Sequence, residues 1–270
     1  MSWRTIARKD LHQARRSTGI WLLAGLSVVV FVGYAVVHEY LGDPTFVGFV
    51  DGLAGVVGST VPLLGLLLGY KSISHERASG SLFLTLSAPQ SRRDLVAGTL
   101  AGRAAVLLVP TVVSLVFAGA VGAVRYGTEG LLGYPLFLFL SSLYGVAFVS
   151  LAVGLSMSTT ADRRITLGAL GGYVVFVPFW GSVHSFALLF LHRFDLSVLS
   201  DMPDWALLVR LLAPTEAFYR LLRAGFDIGR AARYADGPVY VDWWMGLVAL
   251  LAWCVVPVAL GYRRFRTADL

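Results

Sequence analysis

Six runs of apolar residues, separated by charged segments, are the feature that most constrains how this chain can fold. A helix rises 1.5 Å per residue, so about 20 apolar residues cross the ~30 Å hydrocarbon core of a bilayer. Of the 270 residues, 57% are hydrophobic and only 14% are charged, whereas soluble domains are about 25% charged. The sequence therefore predicts an all-α, multi-pass membrane protein with six transmembrane helices, over residues 20–37, 52–69, 104–124, 132–155, 165–191 and 243–262.

The distribution of positive charge predicts the orientation of these spans. If the N-terminus is inside, the inner segments hold 15 of the 22 lysines and arginines, and the short outer loops hold only Arg125. Basic residues concentrate in the cytoplasmic loops of membrane proteins. We therefore expect a protein of the cell membrane with both termini in the cytoplasm. The net charge of +6 then belongs to the inner membrane surface, and it does not indicate nucleic-acid binding.

Two amphipathic segments complete the predicted architecture. Residues 1–19 form a basic amphipathic helix that we expect to lie in the inner membrane interface. Residues 192–242 form an external segment, in which Pro214 suits the first turn of a second amphipathic helix. We expect this helix to lie on the outer leaflet, with Glu216 and Arg220 on its polar side. Its predicted apolar face consists of Phe218, Leu221, Leu222 and Phe226.

Proline and glycine predict how the spans are shaped and packed. Pro178, followed by Gly181, predicts a break in the fifth span, because proline cannot donate the backbone hydrogen bond of a regular helix. Small residues four apart let membrane helices approach closely, and we expect this packing to occur within one subunit rather than at a dedicated dimer face. Three such glycine pairs occur in the chain: Gly65 and Gly69, Gly98 and Gly102, and Gly168 and Gly172.

The charged segment between the second and third spans, residues 70–103, carries a motif. From Glu76 to Asp94 it contains E-R-A-S-G-S-L, then L-S-A-P, then S-R-R-D. This motif resembles the loop between the second and third spans of ATP-binding-cassette exporter permeases of the ABC-2 type. Ala78 departs from the family form, in which a second Glu is common at that place. A solvated loop that turns at Ala88 and Pro89 is the alternative interpretation.

Three further places carry the same resemblance. They are the R-K-D-L stretch at 8–11, the A-P-T-E-A-F phrase at 213–218 and the Y-R-R-F-R-T-A-D-L ending at 262–270. The length and layout are also similar to those of the permeases that accompany nitrous-oxide-reductase maturation. The resemblance thus extends over residues 1–270, which we treat as one transmembrane permease domain.

The resemblance implies a subunit, surrounded by membrane lipid, that works as a homodimer in an exporter. Two separate ATP-binding subunits would hold ATP and Mg²⁺ and drive alternating access, so this chain would need no cofactor of its own. A short helix over 72–81 would dock in a groove of the ATPase, with Glu76 and Arg77 making charged contacts. The ATPase-coupling residues implied in this way are Ser74, His75, Glu76, Arg77, Gly80 and Ser81.

The sequence offers no catalytic site within the chain. A phosphate-binding P-loop requires Gly before a Lys and Ser or Thr after it, and neither Lys9 nor Lys71 has these neighbours. The His-Glu pairs at 38–39 and 75–76 lack the second histidine of a zinc-protease helix. Cys254 is the only cysteine, which excludes an internal disulfide. We therefore predict a permease subunit that is not an enzyme and binds no metal.

Two other functions stay open at this point. A non-transporting membrane scaffold or assembly factor fits the same fold. A secondary carrier fits less well, because carriers driven by protons usually place a carboxylate within a span, and no Asp or Glu lies clearly inside a predicted one. His184 is the only histidine in a predicted span, and we interpret it as a structural, hydrogen-bonded residue.

An apolar translocation path could be lined by aromatic side chains of the fifth span, although aromatic residues in membrane helices more often pack or anchor at interfaces. The candidate path residues are Tyr173, Phe176 and Trp180.

The charge distribution generates a topology prediction. Cysteines introduced at Ser91 and Asp236, in a Cys254→Ser background, should react with an impermeant thiol reagent from opposite sides of the membrane. Reaction of both positions from the same side would contradict the six-span arrangement. Expression of the Cys254→Ser parent without added cysteines gives the labelling background.

Overall fold

A computed structural model describes residues 3–70, 72–74, 91–159, 161–226, 228–234 and 237–267. Every secondary-structure element in these ranges is helical, and six helical stretches are long and apolar enough to cross a membrane. The prediction of an all-α, six-span membrane protein is therefore confirmed. The helices are α1 (Trp3–Arg16), α2 (Thr18–Val37), α3 (Phe46–Gly69), α4 (Arg92–Tyr126), α5 (Tyr134–Ser158), α6 (Asp162–Val174), α7 (Trp180–Leu191), α8 (Ser197–Ser200), α9 (Asp204–Leu211), α10 (Pro214–Leu222) and α11 (Trp243–Thr267).

Helices α3 and α5 form the centre of the bundle. Most of their residues are buried, whereas α2, the α6–α7 pair and α11 expose most of theirs. Helix α5 packs against α3, α4 and α11, and among its buried side chains are Phe137, Tyr144 and Phe148. Exposed leucines, valines and phenylalanines on the outer helices suit a surface that faces lipid rather than water.

Glycine permits the closest helix crossing in the bundle, between α5 and α11. A Cβ atom added to Gly261 would lie 2.5 Å from the carbonyl oxygen of Gly154, and one added to Gly154 would collide with the backbone of Pro257. The two helices therefore touch backbone to backbone, which small residues make possible where lipid supplies no hydrophobic drive for association.

The three predicted glycine pairs all pack inside the subunit. Gly65 and Gly69 face α5, and Gly98 and Gly102 face α1. The third pair, Gly168 and Gly172 of α6, faces leucine side chains of α5. The expectation that these pairs serve internal packing is confirmed.

The fifth span is interrupted, as its proline predicts. It consists of α6 and α7, joined by a π-helical turn over Val175–Phe179 that contains Pro178. Wide turns of this kind commonly mark places where the regular backbone hydrogen-bond ladder is broken.

Helix α4 begins twelve residues before the third predicted span. The N-cap residue of this helix is Ser91. Its Oγ accepts a hydrogen bond from the Asp94 amide at 3.1 Å and donates one to the Asp94 carboxylate at 2.6 Å. The helix has 35 residues, about 52 Å at 1.5 Å per residue, which exceeds the hydrocarbon core. The last part of the charged segment 70–103, from Arg92 onward, is therefore regular helix, because Ser91 caps its N-terminus.

The amphipathic helix predicted before the last span is present, but it does not lie flat on the outer surface. In α10, seven of nine residues are buried, and the helix packs against α11 and α5. Its predicted apolar face is buried, as expected. Helices α9 and α10 together form a hairpin, Asp204–Leu222, that dips into the bundle: the Trp253 indole donates to the Leu212 carbonyl at 2.8 Å, roughly 15 Å along α11 from its start.

Several segments meet at one end of the bundle, which we call the basal end. The Arg92 guanidinium donates to the Phe265 carbonyl at 2.7 Å, so the start of α4 lies beside the end of α11. Helix α1, the expected interfacial helix, lies along the first turns of α4, where Gly98 faces Ile6. Helix α1, the start of α4 and the end of α11 therefore lie together at the basal end, as an even number of spans requires.

The α5–α11 crossing generates a stability prediction. Gly154→Ala should destabilise the protein by about 1–3 kcal/mol or more, the usual cost of overpacking, because its methyl group has no space beside Pro257. Gly171→Ala is the matched control, since a Cβ there meets nothing within 4 Å. The measurement is the thermal unfolding midpoint of each purified variant in the same detergent. Equal midpoints for the two variants would contradict the close crossing.

Candidate functional site

The basal end holds the two anchor points of the predicted ATPase-coupling segment. Of the six coupling residues, only Ser74 lies in the part of the chain that the structure describes. The other five, His75, Glu76, Arg77, Gly80 and Ser81, lie outside the described residues, so their coupling role stays a prediction.

The first anchor point fixes the start of the segment to α5. The hydroxyl of Ser156, on α5, accepts hydrogen bonds from the backbone amides of Ile73 and Ser74 at 2.9 and 3.0 Å. Ile73 and Ser74 are both buried, so this contact is shielded from solvent. Ser74 is therefore held as part of the bundle, and its side chain is not presented to the outside.

The second anchor point fixes the end of the segment to α11. The Arg92 guanidinium donates to the carbonyls of Phe265 and Arg266, at 2.7 and 3.0 Å, and lies 5.4 Å from the Phe265 ring centroid. The last carbonyls of a helix lack backbone donors and carry partial negative charge. A cationic donor at this place satisfies both needs at once.

Helix α1 is joined to the same anchor. The Arg103 side chain lies 3.5 Å from the carboxylate of Asp10, whose side chain is mostly buried. Helices α1, α4 and α11 are thus linked at the end of the coupling segment, whereas α3 and α5 are linked at its start. A displacement of the segment would therefore act on the bundle at two separate points.

A second polar centre lies at mid-depth, where α3, α5, α6 and the hairpin meet. Pro62 has no N–H group, so the Gly58 carbonyl of α3 lacks the donor that a regular helix would supply. The Tyr144 hydroxyl of α5 lies 2.9 Å from that carbonyl and 2.9 Å from the Thr215 hydroxyl. Thr215 in turn donates to the carbonyl of Phe176 at 2.8 Å. Each hydroxyl thus uses its one proton on a carbonyl, and the contact between Tyr144 and Thr215 brings the proline bend of α3 next to the hairpin and the fifth span.

The three candidate path residues all lie at this junction. The Tyr173 hydroxyl donates to the Ser59 carbonyl at 3.2 Å, and the Trp180 indole donates to the Arg210 carbonyl at 3.0 Å. Phe176 packs between Trp180 and Trp253, with ring centroids 5.6 and 4.8 Å apart. All three are half-buried. Trp180 and Phe176 contact the hairpin, at Arg210 and Thr215, whereas Tyr173 contacts α3.

The hairpin contains a buried ion pair that the sequence analysis did not anticipate. Arg210 Nε lies 2.9 Å from Glu216 Oε1, and the Tyr234 hydroxyl donates to Glu216 Oε2 at 2.8 Å. Arg210 and Glu216 are only 8% and 9% exposed. We expected Glu216 and Arg220 together on the polar side of α10, but Arg220 instead pairs with Asp242. Because 204–222 is not a long apolar run, span prediction gave no signal that these charges lie at membrane depth.

The positions of two other ionisable groups, Asp51 and His184, became clear only in the structure. Helix α3 begins at Phe46, so Asp51 lies inside it rather than before a span. His184 is buried, and its Nε2 lies 2.9 Å from the Ala206 carbonyl, which agrees with the structural interpretation. Within the described ranges, no cluster of three or more His, Cys, Asp or Glu side chains could hold a metal ion.

The buried ion pair generates a prediction with an internal control. Arg210→Met should destabilise the protein by about 3–5 kcal/mol, because it leaves the Glu216 carboxylate without its buried cation. The double variant Arg210→Met, Glu216→Met should recover a large part of that loss, since removing both charges of a buried pair is often close to neutral. The measurement is thermal unfolding of the single and double variants. A double variant less stable than Arg210→Met would contradict the arrangement.

Comparison with known proteins agrees with this geometry. The sequence profile described as "ABC-2 family transporter protein" matches residues 4–270. The "Probable ABC transporter permease protein NosY" of Stutzerimonas stutzeri is 29% identical in an alignment of 276 residues, gaps included, that covers 97% of this chain and 96% of that protein. The protein of the same name from Pseudomonas aeruginosa is 29% identical over 275 residues, 97% of each chain. The chain therefore belongs to the ABC-2 family of transporter permeases.

Proposed function

We propose that this chain is the membrane subunit of a transporter that moves an as yet unidentified substrate across the cell membrane with energy from ATP. The ATP is hydrolysed, with Mg²⁺, on a separate ATP-binding subunit. Family membership supports the class, and the observation that carries the mechanism is the double anchoring of the coupling segment, at Ser156 on α5 and at the end of α11.

The ATP-binding subunit docks at the basal end in this proposal. The segment 72–81 inserts into a groove of that subunit, with Glu76 and Arg77 making charged contacts. Motion of the ATPase then pulls on α3 and α5 through Ser156 and on α4, α1 and α11 through Arg92. Because the two anchors lie on different helices, the motion acts on the subunit at two separate points, Ser156 on α5 and Arg92 on α4. Both termini are cytoplasmic in this arrangement.

The translocation path runs beside α3 and the fifth span. A cavity of about 170 Å³ opens between α3 and α6, where Tyr173 and Tyr70 are among its lining residues. The fifth span is the least buried of the six, which leaves its surface available to a second copy of the chain. In the proposed homodimeric exporter, Tyr173, Phe176 and Trp180 line the path, and the hairpin closes it toward the outer side until ATP binding shifts α3 against α6.

Charge reversal in the coupling segment tests the docking site. Glu76→Lys and Arg77→Glu should each weaken co-purification of the ATP-binding subunit, by tens-fold or more, because truncating a desolvated charge contact at an interface costs about 2–5 kcal/mol. Exposed charge pairs in a solvated loop contribute only ~0–1 kcal/mol to stability or binding. The size of the loss in co-purification therefore distinguishes a docking segment from a solvated loop. The reference is Arg16→Glu, which reverses an exposed charge of α1 at the same end.

Two results would overturn the proposed function. One is wild-type complex formation and wild-type coupling in both charge-reversal variants, which would remove the segment from the interface. The other is ATP hydrolysis by the purified chain alone, after removal of contaminating ATPases. Retention of the complex without any transport would favour the assembly-factor alternative.

The anchor at Ser156 gives a separate test of transmission. Ser156→Ala removes the acceptor for the Ile73 and Ser74 amides, so ATP hydrolysis should lose its dependence on substrate, whereas the ATP-binding subunit stays bound. The unpaired amides should also lower the free energy of unfolding by about 1–3 kcal/mol. Ser158→Ala is the matched control, because among the described residues its hydroxyl bonds to the Gly154 carbonyl of its own helix and not to the coupling segment. Substrate-dependent hydrolysis in Ser156→Ala equal to that in Ser158→Ala would contradict the anchor's role.

A further inference from the structure

A deep apolar groove runs along the basal half of the crossing between α5 and α11. Its volume is about 640 Å³, and its walls include Leu151 and Leu155 on α5 and Val256 and Leu260 on α11. At the basal end the groove is bounded by two adjacent arginines, Arg263 and Arg264, whose side chains are exposed. The groove is thus apolar along its length and positively charged at its basal end.

The glycine crossing explains why this groove exists. At Gly154 and Gly261 the helices touch through their backbones, so no side chain separates them at the crossing point, and the groove opens beside it between side chains such as Leu155 and Trp253. The flanking leucines and valines form the apolar walls of the groove. In a membrane this space must be occupied, because an unfilled apolar cavity forfeits dispersion contacts on every surface that lines it.

We propose that this groove binds one anionic phospholipid, with its phosphate between Arg263 and Arg264 and one acyl chain along the apolar walls. The site is independent of the proposed transport function, since it requires only that the chain resides in a bilayer.

The length of the groove matches one acyl chain. From Ala252 to Arg264, the α11 residues that bound the two ends of the groove, α11 rises roughly 18 Å, close to half of the ~30 Å hydrocarbon core plus the start of the headgroup layer. The arginines therefore lie at headgroup level when the walls lie in one leaflet. Arginine at this depth extends its charged end toward the interface while its methylene stem stays apolar.

The charge at the groove's end selects the headgroup. Guanidinium groups bind phosphate oxygens through paired, charge-assisted hydrogen bonds. Among the described residues that line the groove there is no acidic side chain, so nothing there attracts the cationic amine of a zwitterionic lipid. The opposite end of α11 begins with Trp243 and Trp244, which are exposed. The recognition is therefore confined to the basal leaflet.

A similar groove on the other flank of α11 favours lipid over a second copy of the chain. It lies between α4 and α11, has a volume of about 510 Å³, and includes Arg93 in its lining, an exposed residue. A single symmetry-related copy cannot cover both flanks of one helix at once, whereas separate lipid molecules can. Both grooves follow one pattern, apolar walls with an arginine at the basal end.

Lipid retention by the full chain tests the site. The purified protein is exchanged into mixed micelles of phosphatidylglycerol and phosphatidylcholine with identical acyl chains, and bound lipid is measured by native mass spectrometry. The wild-type chain should retain phosphatidylglycerol in preference. Arg263→Gln, Arg264→Gln should lower that retention roughly tenfold to thirtyfold, since each basic residue near a membrane surface contributes about a factor of five to anionic-lipid affinity.

The matched control carries the same change in charge at the same end of the bundle. Arg163→Gln, Arg164→Gln removes two adjacent, exposed arginines that do not line the groove, and it should leave retention unchanged. A second variant, Ala252→Trp, keeps both groove arginines but fills the far end of the groove. It should lower retention of long-chain phosphatidylglycerol and spare the short-chain lipid, which separates groove binding from surface attraction.

Four results would overturn the proposal. They are no preference for phosphatidylglycerol in the wild-type chain, equal losses in the two double-arginine variants, displacement of the lipid by inorganic phosphate alone, and a disulfide-linked dimer formed through Leu260→Cys in a Cys254→Ser background. The last result would assign the groove to a second copy. Unfolding midpoints of all variants show whether a loss of lipid reflects the site or the fold.

Discussion

The fold depends on hydroxyl groups of α5 that satisfy backbone polar groups away from water. In a bilayer an unsatisfied N–H or C=O group is costly, because no solvent can replace the missing partner. Tyr144 supplies the donor that Pro62 removes from α3. Ser156 accepts from two amides at the point where α3 gives way to the coupling segment. Both irregular places in the backbone are therefore held by the same central helix.

The sequence was sufficient for the number of spans, because apolar runs of membrane length leave few alternatives. It was also sufficient for the break at Pro178 and for the internal packing of the glycine pairs, since both follow from local backbone chemistry. The boundaries were less certain. The start of α4 was predicted twelve residues late, because charged residues such as Arg92 and Arg103 ended the apolar run while the helix continued outside it.

Long-range partners could not be predicted from the sequence. Glu216 and Arg220, four residues apart, were expected together on the polar side of one helix. Tertiary packing instead brings Arg210 and Tyr234 to the Glu216 carboxylate. The depth of the hairpin was missed for a related reason: an amphipathic helix has the same pattern whether its apolar face meets lipid or the interior of a bundle. Of the candidate site, the aromatic residues Tyr173, Phe176 and Trp180 were named from the sequence, whereas the contacts of Phe176 and Trp180 with the hairpin could not be predicted.

The position of Tyr144 and Ser156 on one helix gives the proposed coupling a physical route. The two residues are roughly 18 Å apart along α5, one at the hairpin and one at the basal anchor, and the helix between them is regular and mostly buried. A rigid helix transmits displacement only if its two ends contact elements with alternative arrangements. The hairpin is joined to the fifth span by hydrogen bonds from Thr215 to the Phe176 carbonyl and from Trp180 to the Arg210 carbonyl. Such polar contacts can exchange partners, whereas the apolar face of α10 stays buried against α5 and α11. The bundle around α5 therefore combines a buried central helix with a polar junction at the hairpin, and the proposed coupling depends on this combination.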